Sequence, residues 1–508
     1  MIQFRQLYRL IIILISVQCL IGQAIPTDYW VYESIRKIQI LGSLQELPLG
    51  SKPYSRSDIA SELVKLKQDQ STQIVKRHPE YLHLILEFEN EIRQVEGFSS
   101  DVQNESIYTA IGLLSRLIRN NQPQLALQAR INYTIYSHLC FQYGAIMDQA
   151  LNSDPSYTGN EWRGITGYQD QLFLQFENTY VKATLGRDYI DWGYGHSGSL
   201  FITDKSRPFD MMKITANGKL VRFESFIAQL DKMQDAERYL TATRLAINPR
   251  PHIALGFGQS ALYGGINRSL DFTISNPLAF YSFSQDNDQK YMNMMLYADF
   301  AVSINQSCRI YGELLIDDFQ IDRDKQSDLE PNEIAFIVGG EGVSLFRNLD
   351  LWIEYTQVRN RTYNVPEIRP WEKFLHRGEP IAHPYGTDFQ LLVTNGEMWL
   401  NPSVQSYISL SALKKGEGTV DGLFTEPWMA DDVSLDSGFS ESIPSGVIET
   451  TYSAEMGILW RPQNYFYLDL AIRYEAINNE YNISGQNSAD MTVLFQLAVD
   501  YDKLFSTQ

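Results

Sequence analysis

Cysteine is scarce in this 508-residue chain: there are three, and beyond the N-terminal leader only Cys140 and Cys308 remain. Two cysteines cannot build the multi-bridge framework of a small secreted domain, so packing and backbone hydrogen bonds must hold the fold together. The seven histidines (His78, His83, His138, His196, His252, His376 and His383) are scattered, and none has the spacing of a zinc site. No stretch after residue 24 approaches about 18 to 20 uninterrupted apolar residues, which excludes a spanning helix from the body of the chain. Positive charge is also short, with 42 Lys and Arg against 61 Asp and Glu and a formal charge of −19. A surface this acidic excludes a basic patch for nucleic acid and suits a polar lumen with hydrated loops.

What the chain has in quantity is aromatic residues, 30 Tyr and 25 Phe, set in alternating segments. Between Tyr465 and Glu475, Phe466, Leu468, Leu470, Ile472 and Tyr474 share one parity, while Asp469, Arg473 and Glu475 share the other. Ile310, Leu314 and Ile316 oppose Arg309, Glu313 and Asp317 in the same way, and Leu351, Ile353 and Tyr355 oppose Trp352, Glu354 and Thr356. One face can meet lipid and the other water, and about fifteen such segments recur, many longer than ordinary strands. The connections alternate too. Short turns at Glu177-Asn178-Thr179, Asn217-Gly218, Asn305-Gln306-Ser307 and Arg461-Pro462-Gln463-Asn464 are interleaved with long polar stretches near 188–208, 260–290, 321–332, 361–385 and 415–446. All short turns on one side and all long loops on the other is the layout of an all-β transmembrane barrel.

The first residues supply an address. Arg5 and Arg9 precede an apolar run over 10–17, and Gly22-Gln23-Ala24 offers small residues to a signal peptidase, so residues 1–24 read as a secretory signal peptide. The run is short for an anchor, and Ser16-Val17-Gln18 before Cys19 lacks a lipoprotein's small residue. Residues 25–120 read as a small helical domain in the periplasm. Val31, Ile35 and Ile38 form one helical stripe, and Ile59, Leu63 and Leu66 form a second after Ser55-Arg56-Ser57-Asp58, which has capping-box spacing. A third, through Tyr81, Leu84, Ile85, Phe88 and Ile92, follows Pro79. Residues 121–508 are then the barrel. If both ends are periplasmic the strand number is even, and an odd number of strands must precede the one opened by Leu172. Segments near 125–136 and 138–147 supply two, so this count is wrong by one.

Gly186-Arg187-Asp188-Tyr189-Ile190-Asp191-Trp192-Gly193-Tyr194-Gly195, followed by Gly198-Ser199-Leu200 and Ser206-Arg207-Pro208-Phe209, resembles the Trp-Gly block of the capsule assembly protein Wzi family. Pro53-Tyr54-Ser55-Arg56 and Tyr311-Gly312-Glu313-Leu314-Leu315-Ile316-Asp317-Asp318-Phe319 are similar to further blocks of it. The resemblance implies a barrel of about 18 antiparallel strands, with 16 the other count parity allows, and a periplasmic helical bundle. It also implies an outer-membrane lectin that holds capsular polysaccharide, and it transfers no binding residue.

Catalytic patterns are thin, and a non-enzymatic protein without cofactor or metal is expected. Gly195-His196-Ser197-Gly198 falls one residue short of a nucleophile elbow, and Gly256-Phe257-Gly258-Gln259-Ser260-Ala261 mimics a dinucleotide fingerprint within a strand. Asp317 and Asp318 are adjacent on a strand and aim at opposite faces, so they cannot serve one glycosidic bond. Asp286-Asn287-Asp288 reads as a solvated turn before a Ca²⁺ site. Sugar recognition needs flat aromatic surfaces and planar polar groups. In the outer loops Trp371, Tyr385 and Trp428, with Glu367, Asp431 and Asp432, supply both, whereas Trp460, Tyr465 and Tyr467 beside a short turn read as interface girdle. The expected partners are outer-membrane lipid, an extracellular polysaccharide and a periplasmic export component meeting the helical domain, with the chain a monomer. The rival reading is a solute channel, distinguished by whether inward Arg309, Glu313, Asp469 and Arg473 line water or pair across the lumen.

Overall fold

The structure, a computed structural model, describes residues 23–97, 106–118, 122–136, 138–154, 157, 159–161, 166–282, 291–321, 324–346 and 348–506. Eighteen antiparallel strands close into one barrel. The first six are β1 (Ser106–Ile118), β2 (Gln122–Tyr136), β3 (Leu139–Asp148), β4 (Gly167–Glu177), β5 (Val181–Asp188) and β6 (Phe209–Asn217). Next come β7 (Val221–Gln229), β8 (Glu237–Arg250), β9 (Ile253–Gly265), β10 (Asn293–Asn305), β11 (Cys308–Asp318) and β12 (Glu333–Leu345). The last are β13 (Leu349–Val358), β14 (Phe389–Asn401), β15 (Val404–Lys415), β16 (Glu449–Gln463), β17 (Phe466–Asn478) and β18 (Asn487–Ser506). Closure is the pairing of β1 with β18, from Ser106 opposite Ser506 to Leu117 opposite Phe495.

Three strands precede β4, which resolves the parity conflict. The missing one is β1, and it moves the start of the barrel from 121 to Ser106. Its sequence conceals it, because both parities are apolar: Ile111 and Leu113 on one, Ala110, Gly112 and Leu114 on the other. The inward and outward assignments on β11 and β13 hold. Ile310, Leu314, Leu351 and Ile353 are exposed to the lipid side, while Arg309, Glu313, Glu354 and Thr356 are buried. Leu470→Arg should therefore cost about 2–4 kcal/mol of barrel stability near the midplane, whereas Arg473→Gln on the opposite parity should stay within about 0.5 kcal/mol. Equilibrium unfolding in lipid vesicles measures both, and equal losses would show the register to be wrong by one residue.

Among the described residues five helices precede the barrel: α1 (Val31–Ile40), α2 (Arg56–Gln68), α3 (Gln73–Lys76), α4 (Pro79–Glu87) and α5 (Glu89–Val95). Their apolar stripes meet in one core with Ile35, Ile38, Ile59, Leu63, Leu84 and Phe88, and Val343 of β12 joins it. The bundle is thus docked into the short-turn mouth of the barrel. His83 Nε2 lies 2.8 Å from the Pro402 carbonyl, and Asn464 Nδ2 donates to the His83 carbonyl at 2.9 Å; both partners sit in short turns. Ser55 was expected to cap α2 through its side chain. Its hydroxyl instead donates to Glu177 at the end of β4. On α1, Lys37 is buried and pairs with Glu80 (3.2 Å), Asp350 (3.4 Å) and Glu397. Residues 1–22 of the expected signal peptide lie outside the described residues, while Ala24 pairs with Ser55 and the Gln23 carbonyl accepts from the Arg56 amide at 2.8 Å.

Candidate functional site

The segment between β5 and β6 folds into the lumen, and the glycines of its motif permit this. Gly186 has φ +129°, and a Cβ there would lie 2.2 Å from the Leu172 carbonyl oxygen; Gly193 has φ +152°, and its Cβ would strike Ser199 and Glu313. Trp192 is wholly buried between Phe201 and Phe226. The lumen carboxylates receive the backbone of this segment. Glu313 accepts the amides of Tyr194 (2.6 Å), Gly195 (2.8 Å) and Leu200 (2.9 Å), and Glu354 accepts those of His196 (2.8 Å) and Ser197 (3.0 Å). Arg309 pairs with Glu341, and Arg244 holds Asp299 in a bidentate pair with both side chains fully buried. These inward charges therefore bind protein. Asp469 and Arg473 are less enclosed, accepting from the Tyr407 hydroxyl (3.0 Å) and pairing with Glu455 respectively.

The other motif residues hold the segment's ends. Arg187 grips Asp210 through two nitrogens (2.8 and 2.6 Å), Arg207 pairs with Asp154 and stacks over Tyr168, and the Pro208 carbonyl accepts from His376. The Ser197 hydroxyl donates to Glu354, and His383 Nε2 lies 3.2 Å away. Burial holds the His383 pKa down to about 4, so its imidazole is neutral at neutral pH. The hydrogen bond from the hydroxyl to Glu354 ties Ser197, like its amide, to the lumen wall.

Above the segment, loops 359–388 and 416–448 form an outer layer. Arg238, fully buried, donates to the carbonyls of Trp371 (2.7 Å), Lys373 (2.7 Å) and Leu375 (2.8 Å) and so pins the first loop. Arg361 clasps Glu441 and lies 4.8 Å from the Trp428 ring centroid. Trp428 is 1% exposed, between Phe424 and Phe439. This corrects the expectation of a free stacking ring: Trp428 is the core of the loop layer. Tyr385 is 45% exposed and backed by His383 and Phe389. Trp371 is half-buried over Gly264 of β9, Glu367 pairs with Lys373 (3.2 Å), and Asp431 and Asp432 are exposed. Tyr467, expected in the girdle, instead lines the lumen and accepts from Gln496 (2.6 Å), while Trp460 and Tyr465 are exposed. The Asp286-Asn287-Asp288 turn lies outside the described residues.

Under the loops, beside the inward segment, is a cavity of about 370 Å³ lined by Asp28, Arg130, Tyr168, Asp170, Tyr189 and Arg207, among others. It joins the chain ahead of α1, strands β2, β3 and β4, the inward segment and the loops that carry Asp154 and Glu379, so no local pattern could reveal it.

The model of the family described as capsule assembly protein Wzi matches residues 124–491. The chain belongs to the Wzi family. A solved structure, that of Wzi from Escherichia coli, described as an outer-membrane protein involved in group 1 capsule assembly and a carbohydrate-binding β-barrel, superimposes at TM-score 0.64 with 14% identity. The match covers 94% of this chain and 99% of that one. Pseudomonas aeruginosa OprD (6% identity, 79% and 95% coverage, TM-score 0.43) and OccD3 (8%, 78% and 91%, 0.46) match at scores too low to bear on function. No curated protein matches the sequence. As a Wzi-family barrel, the protein resides in the outer membrane.

Proposed function

We propose that this protein binds an extracellular, capsular polysaccharide on its loop face and supports capsule assembly or attachment. The observation that carries this is a long-loop layer built over a lumen occupied by the inward segment and the bundle, in a chain of the Wzi family. A wide diffusion pore would need that space open. Tyr385 and Trp371 offer ring surface for pyranose faces, and Glu367, Asp431 and Asp432 offer carboxylates for hydroxyls; Trp428 supports the layer from within.

Trp371→Ala with Tyr385→Ala should release surface polysaccharide into the medium while barrel abundance stays normal. Each lost stacking contact removes on the order of 1 kcal/mol, and a polymer held at many sites amplifies the loss. Full retention by the double variant would move the binding site elsewhere on the face. Retention by cells lacking the protein altogether would end the lectin reading.

A further inference from the structure

The apolar filling of the lumen lies to one side. The apolar core of the inward segment packs against β6 to β15, and among the described residues none of β1 to β5 or β16 to β18 belongs to it. Along the more polar wall run three cavities of about 210, 570 and 370 Å³. The first reaches the short-turn end at Asn464 and Tyr465, and the last reaches the loop end at Arg207 and Glu379. All three share Gln128 and Arg130 of β2. Arg130 Nε, Asn132 Oδ1 and Arg461 Nε are buried along this wall without a protein hydrogen-bond partner. Buried polar atoms beside space of this size are satisfied by water, since a water needs only about 10–15 Å³ of such volume.

We propose that these cavities form one hydrated side passage through the barrel, narrowest at Gln128 and Arg130, that conducts small inorganic cations past the plug. Across the three cavities nine carboxylates, Asp28, Asp170 and Asp469 among them, outnumber five basic side chains, Arg56, Arg130, Lys205, Arg207 and Arg461, and set a net negative potential. The passage is independent of the polysaccharide reading, because none of the outer-loop aromatics lines it.

The full-length protein reconstituted in planar bilayers with potassium chloride tests this. A steady conductance roughly ten-fold below that of an open barrel of equal strand number is expected, with reversal potentials favouring potassium. With Cys140 and Cys308 replaced by Ser, Gln128→Cys treated with a bulky cationic thiol reagent should lose at least about three-quarters of that conductance, as expected for a single-file constriction. Leu470→Cys on the lipid face should lose none. Current no greater than through bare lipid, anion preference, or a Gln128→Cys channel indifferent to the reagent would each overturn the proposal. Polysaccharide retention by cells carrying Gln128→Cys should be unchanged, so the two readings fail separately.

Discussion

Glu313→Ala is expected to unseat the inward segment and to lower barrel stability by about 3–5 kcal/mol. Glu313 is a single acceptor for the amides of Tyr194, Gly195 and Leu200, all beneath the outer loops. Leaving buried amides without acceptors costs about 1–3 kcal/mol each, with incomplete additivity because the segment relaxes as a unit. Heat-dependent gel mobility should shift to lower temperature, and protease added to intact cells should cut within 188–208 only in the variant. Glu313→Gln keeps one acceptor oxygen and should retain part of the loss. A Glu313→Ala protein as stable and as resistant as the parent would mean that apolar packing around Trp192 alone seats the segment.

Lys37→Met is expected to loosen the bundle from the mouth by about 3–5 kcal/mol. Its ammonium is the common partner of Glu80, Asp350 and Glu397, and deleting it leaves buried carboxylates uncompensated. The same cluster sets an acid limit. Burial raises the Glu80 pKa, but Lys37 and the Ser34 hydroxyl outweigh it and hold the group at about 2, below its usual 4.5. A depressed carboxylate contributes stability that is complete above the unfolded value and is lost as pH falls from about 4.5 through 2, amounting here to about 3 kcal/mol. Proteolysis of the bundle followed against pH should show this acid loss in the parent and a weaker one in Lys37→Met. A flat profile in the parent would show that the cluster does not hold the bundle.

Alternation made most strands legible, because a strand between lipid and a polar interior must change character at every residue. It failed at β1, where the inward Gly112 and Leu114 line a cavity and are no more polar than their outward neighbours. The helices were legible from their stripes, but their position was not: an apolar stripe says nothing of what the opposite face meets, and in three dimensions Ser34 and Lys37 of α1 meet carboxylates. Trp428 and Tyr385 are alike in sequence as aromatics in polar loops. Only the arrival of Arg361, Phe424 and Phe439 from other loop positions buries one and leaves the other open.

The sequence alone thus determined a barrel with short turns at one end and long loops at the other, because residue parity and turn length are local properties. Tertiary structure decided what occupies the interior. An inward carboxylate reads the same whether water or a backbone amide satisfies it, and which distant segment reaches Glu313 or Asp469 is set by the fold.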